Sequence, residues 1–92
     1  MRYKFDWDQG NHQKNFLKHG ITNREIESIF DDPHKLVAED LKHSESEMRY
    51  ICIGRSEFER ILYAAFTIRN GKYRVISCRP ANKKNRGQYE KQ

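Results

Sequence analysis

Little in this chain is apolar. Hydrophobic residues make up 36% of its 92 positions and mean hydropathy is −1.06, so any core has to be thin. At this size surface-to-volume scaling already makes a domain marginal, and a permanent partner would add what the core lacks. No run is long or apolar enough to span a bilayer as a helix, and no signal-peptide pattern opens the chain; the cytoplasm is the expected location. Cysteine is scarce, with Cys52 and Cys78 alone. Both fall in expected strands, which favours buried reduced thiols over a disulfide, and their spacing matches no zinc pattern. A Gly-rich phosphate loop, a nucleophile elbow and a His-Glu-x-x-His motif are all missing, so P-loop, α/β-hydrolase and zincin chemistry are excluded and no cofactor is expected. Linkers, repeats and low-complexity segments are also missing, and one domain over residues 1–92 is expected.

What the chain does have is β structure. Charged residues reach 34%, a level that suits disorder, but five Tyr, five Phe, one Trp and several β-branched runs argue for a fold. Residues 48–53, 61–69 and 72–79 read as three successive antiparallel strands. Asn70-Gly71 between the last two is a two-residue hairpin signal, because both central residues of a type I′ turn need positive φ. That turn sets a register in which Arg69 faces Lys72, Phe66 faces Val75, Ala64 faces Ser77 and Leu62 faces Arg79. Alternation then puts Leu62, Ala64, Phe66, Ile68, Tyr73, Val75 and Ser77 on a core face, with Arg79 at its far edge. Tyr63, Thr67, Arg69, Lys72, Arg74 and Cys78 share the other face. A bulge would swap these assignments along one strand.

The flanks complete the expected outline. Arg2–Trp7 alternates as a short half-buried strand. Asp8 can cap a helix over residues 9–18 that Gly20 ends as a left-handed C-cap. Thr22-Asn-Arg-Glu25 is a capping box opening a second helix to about Asp31, with Ile26, Ile29 and Phe30 on one face. Asp32-Pro33 stops it. Residues 36–41 form a plausible extra strand, and residues 82–92 a weak terminal helix. The expected class is α+β: an antiparallel sheet with two N-terminal helices and a short C-terminal one.

Charge is unevenly spread. Residues 1–47 hold 7 Lys+Arg against 10 Asp+Glu, a balance of −3, and residues 48–92 hold 11 against 3, a balance of +8. A cationic surface suits polyanions, most often nucleic acid, and equally serves solubility. The remaining His, Glu, Arg, Lys and Tyr suffice for RNA cleavage without a metal, which needs a base for the 2′-hydroxyl, cations for the phosphate and an acid for the leaving oxygen. Glu47 and Arg49, two apart on a strand, share a face: a base beside a phosphate clamp, or an ion pair fixing the strand start. His43 has the physiological pKa range for acid–base work, or is a surface or capping histidine. Arg79 at a strand exit could hold phosphate in a bidentate way, or clamp the chain's own C-terminal carbonyls. Lys18-His19-Gly20 reads first as a helix stop. Tyr89 could stack on RNA or serve as packing.

The same positions resemble the BrnT toxins, small ribonucleases of bacterial type II toxin–antitoxin pairs. The matching residues are Phe5-Asp6-Trp7-Asp8, Asn15, Lys18-His19-Gly20, Phe30, Asp32-Pro33, His43-Ser44, Glu47 and Arg49. They continue through Gly54, Arg60, Thr67, Arg69, Arg74-Val75-Ile76-Ser77, Arg79, Ala81, Arg86 and Tyr89-Glu90, over nearly the whole chain. The resemblance implies a RelE-like α+β fold, cytoplasmic RNA cleavage without a metal, and neutralisation by a BrnA-type antitoxin in a hetero-oligomer. On this reading His43, Glu47, Arg49 and Arg79 carry catalysis, with the ends of the first and third strands converging, while Lys18, His19, Arg69, Arg74, Arg86 and Tyr89 contact RNA. The family usually has lysine where Asn11 stands, a cation of the front helix, and glutamate where Asn85 stands, a partner for a neighbouring arginine. These departures keep a second reading open: a catalytically inactive basic binding module that retains the antitoxin or RNA contact. A nucleic-acid-binding regulator acting alone lacks a recognition helix.

Overall fold

The computed structural model describes residues 4–11, 14–43 and 46–92. Helix α1 spans Lys14–His19, α2 Asn23–Ile29 and α3 Lys83–Glu90, and strands β1 Leu36–Glu39, β2 Arg49–Arg55, β3 Ile61–Arg69 and β4 Lys72–Pro80 form one antiparallel sheet in the order β1-β2-β3-β4. A 3-10 turn, Leu41–His43, follows β1. The α+β expectation therefore holds, with two helices before the sheet and one after it.

The β3–β4 hairpin turns on Asn70 (φ 52) and Gly71 (φ 74), the two positive values a type I′ turn requires. The expected register holds from Arg69↔Lys72 to Phe66↔Val75 and then slips, so that Ala65 faces Ser77, Ala64 faces Cys78, Tyr63 faces Arg79 and Leu62 faces Pro80. A bulge at this point inserts one residue into β4 and flips the side chains beyond it. Cys78, not Ser77, reaches the core, and Arg79 sits on the opposite face. Ile68, expected inside, is exposed at the hairpin end.

The core joins Ile21, Ile26, Ile29 and Phe30 to Cys52, Leu62, Ala64, Phe66, Val75 and Cys78. Phe30 is its hub, with ring centroids 5.1 Å from Phe5, 5.1 Å from Phe66 and 5.4 Å from Tyr73. Edge-to-face and offset contacts of this kind add to simple area burial. At Gly54 a Cβ would lie 2.7 Å from the Ile29 carbonyl oxygen, so glycine is what lets α2 seat this close to β2. Cys52 and Cys78 are free and buried, both opposite Ala64 on neighbouring strands. Two strand spacings separate them by roughly 10 Å, beyond the ~7 Å Cα limit of a disulfide. Burial pushes both thiols up to about 12.

The front of the chain differs from its expected form. The first residues of the opening strand, Arg2 and Tyr3, and His12 and Gln13 of the front helix lie outside the described residues. Phe5 makes only an isolated parallel bridge to Tyr73. The helix starts later than expected, because Asp8 accepts from the Gly10 N–H at 2.8 Å and closes a turn instead of capping a helix. Asn11 is 4% exposed; its Nδ2 donates to the Asp6 and Val75 carbonyls, both at 3.0 Å, and its Oδ1 accepts from the Asp8 N–H. It is a buried clamp, not a vacant surface-cation position. Together with Lys14 Nζ on the Ile76 carbonyl and Asn15 Oδ1 on the Cys78 N–H, it occupies the outer edge of β4.

Glu25 also departs from its expected place. Thr22 caps α2 by accepting from the Glu25 N–H at 3.1 Å, but the Glu25 carboxylate turns inward. It accepts from Arg60 Nε at 2.6 Å and Nη2 at 2.7 Å and from the Ser56 hydroxyl at 2.8 Å. The Arg60 bonds outweigh burial and hold this carboxyl below its ordinary range.

Candidate active site

The sheet face turned away from the core carries most of the expected site residues. Alternation from the observed pairing gives it three rows: Arg49, Thr67 and Arg74; then Ile51, Ala65 and Ser77; then Ile53, Tyr63 and Arg79. Beyond the first row lie Glu47, Arg69 and Lys72. A three-strand meander puts the start of β2 and the end of β4 at opposite ends, so Arg49 and Arg79 share a face but do not converge. From Thr67 to Tyr63 is ~13 Å along the strand.

At the hairpin end two arginines are paired with carboxylates. Arg69 donates to Glu47 through Nη2 at 2.7 Å and Nε at 3.1 Å. Those bonds, with the fields of Arg69, Arg49 and Arg74, hold the Glu47 carboxyl below its ordinary range. A carboxylate so held is a weaker base, and its ion-pair partner is Arg69 rather than the expected Arg49. Arg74 donates to both Asp8 oxygens, at 2.8 and 2.9 Å, and lies 3.5 Å from Asp6. Thr67 is buried and its hydroxyl donates to the Met48 carbonyl at 2.7 Å, tying β3 to the entry of β2.

Beside this end is a pair that the sequence reading did not assemble. His43 Nδ1 lies 2.9 Å from Asp40 Oδ2, and the Asp40 N–H donates to the Arg49 carbonyl at 2.7 Å. The carboxylate holds the ring through Nδ1, so that a ligand would be met at Nε2. Asp40 was legible only as an Asp-x-x-His spacing, which becomes a contact because one 3-10 turn joins the two.

The far end is built differently. The Arg79 guanidinium lies 4.1 Å from the Tyr63 ring centroid. Its Nη1 donates to Asn85 Oδ1 at 2.9 Å and to the Pro80 carbonyl at 3.2 Å. Asn85 is fixed in turn by a capping box with Asn82. Next to Arg79 is a cleft of about 190 Å³ lined by Lys14, Asn15, Lys18, His19, Ser77, Cys78 and Arg79, which brings Lys18 and His19 to Arg79. A larger cleft of about 420 Å³ carries Asp31, Asp32 and Glu57 among its lining, a poor setting for phosphate.

Two expected RNA contacts sit elsewhere. Tyr89 is 8% exposed and its hydroxyl donates to Asp32 at 2.6 Å. Burial and that bond push the phenol up. Asp32 is pushed up by its own burial, but the Tyr89 hydroxyl and the Arg55 and His34 N–H groups outweigh this and hold it low. Tyr89 therefore packs α3 down and offers no stacking surface. Arg86 is exposed and its Nη1 donates to the Ala81 carbonyl, locking the start of α3.

The model of one protein family, ribonuclease toxin, BrnT, of type II toxin–antitoxin system, matches residues 7–85. The chain belongs to the BrnT toxin family. That match spans His43, Glu47, Arg49, Arg79 and Asn85 and stops short of Arg86 and Tyr89. Comparison with curated proteins gave no match. Membership makes this BrnT chain a ribonuclease toxin with RNA as substrate and an antitoxin as partner. Among the described residues, no helix is long and apolar enough to cross a membrane.

Proposed function

We propose that this BrnT protein is a metal-independent endoribonuclease formed as one domain by residues 1–92. It acts in the cytoplasm, cuts RNA so as to inhibit translation, and is neutralised by a BrnA-type antitoxin. Four antiparallel strands with two helices before them and one after support a RelE-like fold. The observation that carries the chemistry is the His43–Asp40 pair beside Arg49.

His43 Nε2 takes the proton of a ribose 2′-hydroxyl, and the oxygen attacks the adjacent phosphorus. The bond from phosphorus to the 5′ oxygen breaks, and that oxygen takes a proton from water, to which this end of the sheet is open. Arg49 stabilises the charge on the phosphate oxygens in the transition state. Glu47 keeps Arg69 in place and stays ionised. Arg79, ~13 Å along the strands, serves the RNA away from the reacting phosphorus. The products are a 2′,3′-cyclic phosphate and a free 5′-hydroxyl.

The test is cleavage of a labelled RNA with the ends of the products analysed. His43→Ala should slow cleavage by about 100-fold or more, and Arg49→Ala by about 100- to 1,000-fold, with antitoxin binding retained. Chelator should have no effect. Full activity in His43→Ala, or activity lost to EDTA and restored by a divalent metal, overturns this mechanism. The Glu47–Arg69 pair favours a second reading, the inactive binding module that keeps the antitoxin or RNA contact. A wild-type protein that binds RNA and leaves it intact decides for that reading.

A further inference from the structure

Three arginines on the outer sheet face are held in two ways. At the hairpin end, Arg69 is matched by Glu47, and Arg74 by Asp8 and Asp6. At the other end, Arg79 is held by a ring, an amide oxygen and a backbone carbonyl. None of these carries a negative charge, so the guanidinium is positioned without being neutralised. The cleft beside it adds Lys14, Lys18 and His19 and has no acidic residue in its lining. Lys14 is anchored on the Ile76 carbonyl at 3.1 Å, again by a neutral group. Of the seven lining residues, four can be cationic, and the volume of about 190 Å³ admits a phosphate group with part of its sugar.

We propose that the cleft between α1 and the end of β4 is a phosphate-binding subsite for RNA, with Arg79 and Lys18 as its principal anion contacts and Lys14 and His19 beside them. The subsite rests on the ribonuclease reading and adds to it. It lies ~13 Å along the strands from Arg49, so it takes a phosphate other than the one attacked and sets where the strand lies across the sheet. Paired arginines at the hairpin end contribute less to strand binding, because RNA must first displace their carboxylates. The lysines and Arg79 need only shed water and counterions.

Salt dependence reads this directly. Each lost contact to a single-stranded phosphate lowers the slope of log K against log salt by about 0.7. The probe is a fluorescein-labelled RNA oligonucleotide, 2′-O-methylated throughout so that it cannot be cut, titrated with the full chain by anisotropy at several salt concentrations. Lys18→Ala, at an exposed position, and Arg79→Gln should each weaken binding and lower the slope by that amount. Asn85→Glu tests the neutrality argument itself. Glutamate preserves the capping box but places a carboxylate on Arg79, and should lower the slope as Arg79→Gln does. Arg24→Ala, on α2 at the core side of the sheet and paired with Glu57, should leave the slope nearly unchanged.

Unchanged slopes in both Lys18→Ala and Asn85→Glu overturn the subsite, as does competition by polyglutamate equal to that by unlabelled RNA. The two readings fail separately. Wild-type cleavage with unchanged slopes removes the subsite alone, whereas lowered slopes in a chain that cuts nothing keep the subsite and remove the ribonuclease.

Discussion

Glu25 is the residue whose surroundings differ most from what its neighbours in sequence suggest. Thr22-Asn-Arg-Glu reads as a capping box, and half of one forms. The carboxylate instead enters the core margin at 1% exposure, because Arg60 and Ser56 arrive there from 35 and 31 residues away. No local pattern announces a partner that distant. Removing one member of a buried pair strands the other, so Glu25→Ala should lower stability by about 3 kcal/mol. That is the low end of the usual range, since Arg60 can turn to water. Urea unfolding measures it. The sign with pH follows from the lowered folded pKa: the contribution is complete above the ordinary carboxylate value of 4.5 and is lost as pH falls through the depressed one. Midpoints measured from pH 6 downward should therefore drop in the wild type and less in Glu25→Ala. At the site, Asp40→Asn should slow cleavage, and adding it to His43→Ala should slow cleavage no further, the mark of a residue that acts through His43. Loss of structure alone would add to the His43→Ala effect.

Among the elements, the strands were the legible part. Alternating β-branched and aromatic residues bounded by Asn70-Gly71 gave β3 and β4 their ends and half of their register. Gly71→Val should cost about 1–3 kcal/mol by forcing a β-branched residue to positive φ, read as a lower melting temperature. Gly54→Ala should cost a similar amount, since the added methyl meets the Ile29 carbonyl and overpacks the α2–β2 contact. The bulge at Ala65/Phe66 was not legible, because Ile76 and Ser77 fit either face by composition alone. That single slip moves Arg79 from the core side to the Tyr63 side. The separation of Arg49 from Arg79 needs no bulge: it follows from the direction of three antiparallel strands and was available from the topology. Helix α1 was misjudged for a different reason. Asp8 looks like a cap, but its carboxylate serves Arg74 and Gly10, and only the finished sheet brings Arg74 to it.

Over the whole molecule, charge asymmetry sets the terms of partner binding. The balance of +8 over residues 48–92 favours an antitoxin that lays an acidic or amphipathic segment over the basic half, the direct way to exclude RNA. Affinity measured by calorimetry should weaken as salt rises, and protection from hydrogen exchange on binding should fall mainly within residues 48–92. Salt-independent binding, or protection confined to residues 1–47, would remove this account. The two borders of the sheet also behave unalike. Along β4, Lys4, Asp6, Asn11, Lys14 and Asn15 occupy the backbone groups. Along β1, no described segment pairs with the outer side, and Val37 is 46% exposed there. A sheet with one closed border has no polarity of growth. Two copies joined strand to strand through β1 would consume both available borders and present closed ones outward, so association by this route ends at a pair and cannot propagate into a fibre, however concentrated the protein becomes.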